Sequence, residues 1–250
     1  MKKNALIVLT LLLVSSCSIR YPNEGKRFGG LNGNIKSIKS TSYKGQEKFG
    51  EAILGDIVSM DKIEFNSYGN YTKETIYDSD GETLYNYIPE YDGNKLISST
   101  LEGKYFDKPF KTKIEKGKDY YKEIELDNDS QYSITTQDKD DKTHFITQDQ
   151  DGIIVFDRHI NNRNDIVEEK YYSKGELSQF RSYEYNNDGL LVFYKSTSYY
   201  SDGDEKTSTT AFKYLEFDDK GNWTKRKATL TTPYITTPDI QIEVREIIYR

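Results

Sequence analysis

Phe217-Asp218-Asp219-Lys220-Gly221-Asn222-Trp223-Thr224-Lys225-Arg226 is the stretch from which the fold is read. An aromatic residue ends one strand, Asp218 is placed to accept hydrogen bonds from the turn backbone, and Gly221 supplies the left-handed conformation that sends the next strand back antiparallel. The same order of aromatic, Asn or Asp, two residues and glycine recurs at Phe65-Asn66-Ser67-Tyr68-Gly69-Asn70, Tyr77-Asp78-Ser79-Asp80-Gly81-Glu82 and Tyr185-Asn186-Asn187-Asp188-Gly189-Leu190. Shortened copies stand at Tyr91-Asp92-Gly93-Asn94 and Tyr172-Ser173-Lys174-Gly175-Glu176. Asp-Gly pairs at 80–81, 92–93, 151–152, 188–189 and 202–203 each separate two strand-like runs, which makes the repeating unit a β-hairpin.

Composition agrees with that unit. Tyrosine supplies 22 residues and the aromatic share is 14%. A tyrosine ring packs on a pleated sheet while its hydroxyl stays wet. Ile240, Ile242 and Val244 alternate with Gln241, Glu243 and Arg245, and Tyr183 and Tyr185 flank Glu184, as half-buried strands do. Ile153-Ile154-Val155-Phe156 and Leu190-Leu191-Val192-Phe193-Tyr194 are apolar on both faces and are expected to mark the densest core. No segment of helical length carries an apolar stripe, and Glu47 to Met60, broken by Gly50 and Gly55, reads as a long loop or hairpin tip.

The N-terminus fixes an address. Lys2 and Lys3 precede an apolar run from Ala5 to Val14, too short to span a bilayer, and Val14-Ser15-Ser16-Cys17 follows it. This resembles a bacterial lipoprotein signal, whose lipobox implies that Cys17 is acylated and becomes the new N-terminus. The expected organisation is a signal peptide at 1–16, a flexible tether at 17–34 of roughly 20–25 Å reach, and one β-hairpin domain at 35–250. Cys17 is the sole cysteine, so no disulfide is available. Cleavage removes two lysines and takes the net charge from −6 to −8, and no basic block remains to bind nucleic acid. The lipid is then the membrane contact. Ser18, rather than aspartate, after the cysteine resembles an outer-membrane address in the cell envelope; which face is exposed is left open.

The aromatic-Asn/Asp-x-x-Gly units resemble the YD-repeat (Rhs-like) family, and 217–226 is close to how its units read in small envelope lipoproteins. The closing Val244-Arg245-Glu246-Ile247-Ile248-Tyr249 resembles their terminal strand. Longer members wind such hairpins into a β-shell around a cargo. Here the glycine spacings run 12 and 12, then 14, 14 and 18, and the units are few, so the expectation is an all-β, extended antiparallel meander of hairpins with no closed shell.

Catalytic chemistry is thinly represented. His144 and His159 are the two histidines; they are far apart in sequence, no cysteine accompanies them, and they read as surface or strand histidines with no metal site. No Gly-x-Ser-x-Gly elbow occurs. Asp149-Gln150-Asp151-Gly152 and Asp78-Ser79-Asp80-Gly81 imitate part of a calcium loop, but its twelfth position holds Arg158 and Tyr87 instead of glutamate. Neither an enzyme nor a cofactor is expected. The preferred reading is a non-enzymatic, membrane-anchored lipoprotein whose tyrosine-rich sheet binds a protein or glycan partner. A carbohydrate-active enzyme, or its substrate-capturing subunit, is the alternative, with carboxylate pairs such as Glu123 and Glu125 available. The candidate ligand contacts are Trp223, Tyr171, Tyr172, Tyr199 and Tyr200.

Overall fold

The computed structural model describes residues 31–48, 51–93, 95–117, 120–126, 131–138, 140–141, 143–200 and 202–250. The strands are β1 (Ile35–Lys48), β2 (Glu51–Phe65), β3 (Tyr71–Tyr77), β4 (Thr83–Asp92), β5 (Lys95–Gly103), β6 (Phe110–Lys116), β7 (Tyr120–Glu125) and β8 (Tyr132–Gln137). They continue as β9 (His144–Asp149), β10 (Ile154–Ile160), β11 (Ile166–Ser173), β12 (Glu176–Tyr185), β13 (Leu191–Tyr199), β14 (Glu205–Phe217), β15 (Trp223–Thr231) and β16 (Asp239–Tyr249). Of the segment 47–60, Glu47 and Lys48 end β1 and residues 51–60 open β2, the two strands pairing antiparallel from Lys48 opposite Glu51 onward.

Each strand pairs with its sequence neighbours, and β16 returns to β1, so the sheet is a closed barrel of sixteen strands. This corrects the open meander. The seam runs from Ser37 opposite Ile248 to Lys44 opposite Gln241. An open twisted sheet of this width would carry two long edges of unpaired amides, and sheets beyond about ten strands curl or split; pairing the first strand with the last removes both edges. Irregular glycine spacing does not prevent closure, because bulges at Glu64/Phe65, Glu184/Tyr185 and Glu216/Phe217 absorb it.

The turns work as their residues dictate. Asn66 Oδ1 accepts hydrogen bonds from the amides of Tyr68 and Asn70, both at 3.0 Å. Asp78, Asp149, Asn186 and Asp218 repeat that pair of contacts two and four residues on. Gly189 and Gly221 take φ of 81° and 80° in the left-handed position. One copy escaped the sequence pattern. In Asn161–Asp165, Asn164 replaces glycine at φ 62°, a conformation asparagine tolerates.

The registers sort side chains into two faces. Ile38, Ile63, Tyr87, Leu101, Phe145, Arg158, Glu169 and Arg181 share the inner face, and those among them that are apolar are buried. The outer wall carries Lys39, Lys62, Lys73, Glu102, Lys111, Lys113, Glu115, Lys122, Lys170, Lys195, Lys213 and Lys227. Outer pairs two residues apart, Lys62–Glu64, Lys113–Glu115 and Lys170–Glu168, each meet at 2.8 Å. A barrel that spans lipid needs an apolar outer band, and each lysine at the bilayer midplane costs about 2–4 kcal/mol, so this wall is built for water.

The densest apolar cluster lies in β1 to β5, where Leu31, Ile35, Ile38, Ile63, Phe65, Tyr71, Tyr87 and Leu101 pack together. Ile153 and Ile154, expected in the densest core, are exposed. The last residues of the expected tether are docked: Leu31 is in this cluster, and Asn222 Nδ2 donates to the Asn32 carbonyl at 2.9 Å. On β16 the alternation is inverted relative to a simple apolar interior. Glu243 and Arg245 face inward beside Asp61 and Arg226, while Ile240 and Ile242 lie outward under the close approach of Gly45.

That inner polar row creates a pH dependence. Burial, followed by the charge of Glu74 and Glu243, lifts the Asp61 carboxyl from 3.8 to about 6, against the opposing Ser40 hydrogen bond and Arg245 charge. The folded state therefore holds this proton more tightly than the unfolded chain. Its contribution is full below about pH 4 and is lost as the pH rises to about 6, a loss of about 2–3 kcal/mol. Asp61→Asn is expected to remove that decline and to leave the variant more stable than wild type at pH 7. Urea unfolding at pH 4 and pH 7 checks it, and a decline of the same size in the variant would contradict the assignment.

Candidate functional site

Two of the sequence-chosen aromatics belong to the interior. Trp223 is 2% exposed, with the Arg245 guanidinium 3.5 Å and the Arg226 guanidinium 4.5 Å from its ring centre and Tyr214 edge-on at 5.7 Å. The irregular pairing at Glu216/Phe217 breaks the period of two, so Trp223 turns in toward Arg226 while Lys225 pairs with Glu216 at 3.1 Å. Burial, then the charge of Arg226, brings Arg245 down to about 9. Tyr171 is buried in a second inner network. Glu169 accepts from Arg158 Nε and Nη2 at 3.0 and 2.6 Å, and from the hydroxyls of Tyr171 and Tyr183 at 3.1 and 2.6 Å. Burial first, then the Glu169 carboxylate, holds both phenols well above their ordinary range. These groups neutralise one another inside the wall, which is structural work.

Tyr199 and Tyr200 lie elsewhere. They enter the β13–β14 turn, at the end of the barrel opposite Ile35, and both are exposed. Three connections are neighbours at that end because β13 to β16, β1 and β2 follow one another around the ring. The β15–β16 loop adds Tyr234, 67% exposed, and Ile235; the β1–β2 tip adds Ile53 and Leu54. Lys206 Nζ lies 5.1 Å from the centre of the Tyr200 ring and 4.8 Å from that of Tyr234. Its hydrogen bond, followed by one from Tyr200, holds the Tyr234 phenol below its ordinary range. The result is an exposed aromatic rim with a cation at its centre. Tyr172 is half-buried on the outer wall of β11 and is not part of it. The sequence reading missed Tyr234 and Lys206, since joining them to Tyr200 requires knowing that β14, β15 and β16 are adjacent.

The histidines are brought together. His144 and His159 are directly opposed across β9 and β10 on the outer wall, their rings stacked at 4.1 Å and 6°. Asp157, two residues from His159 and so on the same face, places Oδ1 3.0 Å from His144 Nε2 and 3.7 Å from His159 Nε2. Pairing outward from the Asp149–Ile153 turn sets Gln148 against Ile154 and, without irregularity, would set His144 against Arg158; the bulge between Ile154 and Phe156 moves the partner to His159, a shift the sequence does not advertise. Cys17 and the rest of 1–30 lie outside the described residues.

No protein-family model matches the chain, and no curated protein does. Among solved structures, a porin-like protein from Bacteroides uniformis is 13% identical, with 86% of this chain and 96% of that one covered at a TM-score of 0.36. The TcdB2–TccC3 assembly is 14% identical over 81% of this chain and 11% of that chain, at 0.33. A LolA superfamily protein from Nitrosomonas europaea is 7% identical over 91% of each, at 0.29. Likenesses of this degree assign neither family nor function.

Proposed function

We propose that this chain is a non-enzymatic envelope lipoprotein of the YD-repeat type, held by lipid at Cys17, whose barrel offers its aromatic rim to a protein or glycan partner. The observation that carries this reading is the Tyr200–Lys206–Tyr234 cluster at the end away from the chain's entry into the barrel. Leu31 and Ile35 enter at one end, and a strand such as β13, of 9 residues and roughly 30 Å along its own length, puts the rim roughly 20–25 Å from that end once the tilt of barrel strands is counted. A lipid at Cys17 would hold the entry end toward the membrane and the rim away from it. The charged wall supports a body standing in water, and the repeated Asx turns support the family resemblance. Exposed tyrosines beside apolar and cationic neighbours suit both stacking on a sugar and burial under a protein.

Titration of the protein with solubilised envelope polysaccharide, and cross-linking to envelope proteins, tests the rim. Tyr200→Ala/Tyr234→Ala is expected to weaken capture by about tenfold or more, since two aromatic anchors contribute most of such a contact, and to leave the fold intact. Capture at wild-type strength by the double variant would move the binding surface elsewhere.

A further inference from the structure

We propose that His144, His159 and Asp157 form a binding site for a borderline transition-metal dication of the Zn2+ class on the outer wall. Two imidazoles and one carboxylate are the ligand set such an ion takes, and the absence of sulfur and of a cage of oxygens disfavours Cu+ and the hard ions Ca2+ and Mg2+. The three ligand atoms lie within 4.8 Å of one another. Around a tetrahedral ion with bonds of about 2.0–2.1 Å, ligand atoms stand roughly 3.4 Å apart, and the observed 3.0 and 3.7 Å separations from Asp157 Oδ1 bracket that value.

The backbone sets the constellation. His144 and His159 are in direct register, and Asp157 shares their face through the strand period of two. The surroundings fit a cation. Asp138 Oδ2 lies 3.6 Å from Nδ1 of His144, the nitrogen not facing Asp157, where a carboxylate orients a ligating imidazole. That carboxylate is itself fixed, because its Oδ1 accepts from the amides of Asp140 and Asp141 at 2.8 and 3.2 Å. Glu168 stands opposite His159, and Lys170, opposite Asp157, is drawn to Glu168 at 2.8 Å. A shared ion lies in the plane of each imidazole, so the stacked rings must open about their Cβ–Cγ bonds to take it. Three protein ligands leave the fourth position to water.

Isothermal titration of untagged full-length protein in detergent with Zn2+, against Mg2+ as control, tests this. One Zn2+ per chain is expected with no measurable Mg2+ uptake. His144→Ala and His159→Ala should each weaken Zn2+ by about a hundredfold or more, and Asp138→Asn by about tenfold. All three lie on the wall, and circular dichroism confirms that each still folds. Co2+ substitution should give visible d–d bands without a thiolate charge-transfer band, which separates this site from Cys17. Zn2+ bound no better than Mg2+, or retained at full strength in His144→Ala/His159→Ala, overturns the proposal.

Discussion

Glu169→Ala is expected to remove about 3–5 kcal/mol of unfolding free energy, the cost of leaving a buried charge without its partner. Arg158 and Glu169 are both buried, on adjacent strands β10 and β11, and the carboxylate is the shared acceptor for Arg158, Tyr171 and Tyr183. Deleting it leaves a guanidinium and two hydroxyls short of an acceptor in a place water reaches poorly. Replacing both charges, as in Arg158→Met/Glu169→Leu, should cost less than the single change, because the buried Arg158 guanidinium no longer stands unpaired and the volume is kept; the remaining cost is that of Arg181, whose Nη1 lies 3.9 Å from Glu169 and loses that carboxylate in both variants. Urea unfolding followed by circular dichroism gives both values. A single variant as stable as wild type would mean that the inner face is wet.

Trp223→Ala is expected to cost about 3–5 kcal/mol, through a large cavity and the loss of the ring face beneath Arg245. In the wild type, emission should be blue-shifted and poorly quenched by iodide, since the indole is 2% exposed. Trp223→Phe should recover part of the loss by keeping an aromatic face for the two arginines. Red-shifted, readily quenched emission together with an unaltered midpoint in Trp223→Ala would place this residue on the surface.

The hairpins were legible because each turn carries its own chemistry: an Asx acceptor at Asn66, Asp78, Asn186 or Asp218 and a glycine three residues on specify the return without reference to the rest of the chain. Asn164 shows the limit of that reading, since it fills the glycine position by a conformation the pattern does not advertise. Closure was not legible. The seam joins β16 to β1, and β1 contains no copy of the unit, so a search for the unit passes over the strand that completes the ring. Which face turns inward was equally hidden on β16, where alternation of Ile240, Ile242 and Val244 with Gln241, Glu243 and Arg245 is symmetric under a one-residue slip. The inward choice of Glu243 and Arg245 is made by Arg226 and Asp61 on other strands. The rim suffers from the same non-locality. Tyr200 was picked from sequence, whereas Tyr234, in a Thr-Pro loop, gains meaning only beside Lys206.

The most direct measurement of a barrel that stands in water with its charges outward is gel filtration, without detergent, of the chain expressed from Ser18, which lacks both the signal and Cys17. A discrete, β-rich species that stays in solution through the column is the expected result, because Lys62, Lys113, Lys122, Lys170 and Lys227 are on the solvent side of the wall. A chain that precipitates unless detergent is added, and that regains its β spectrum only in micelles, would contradict it.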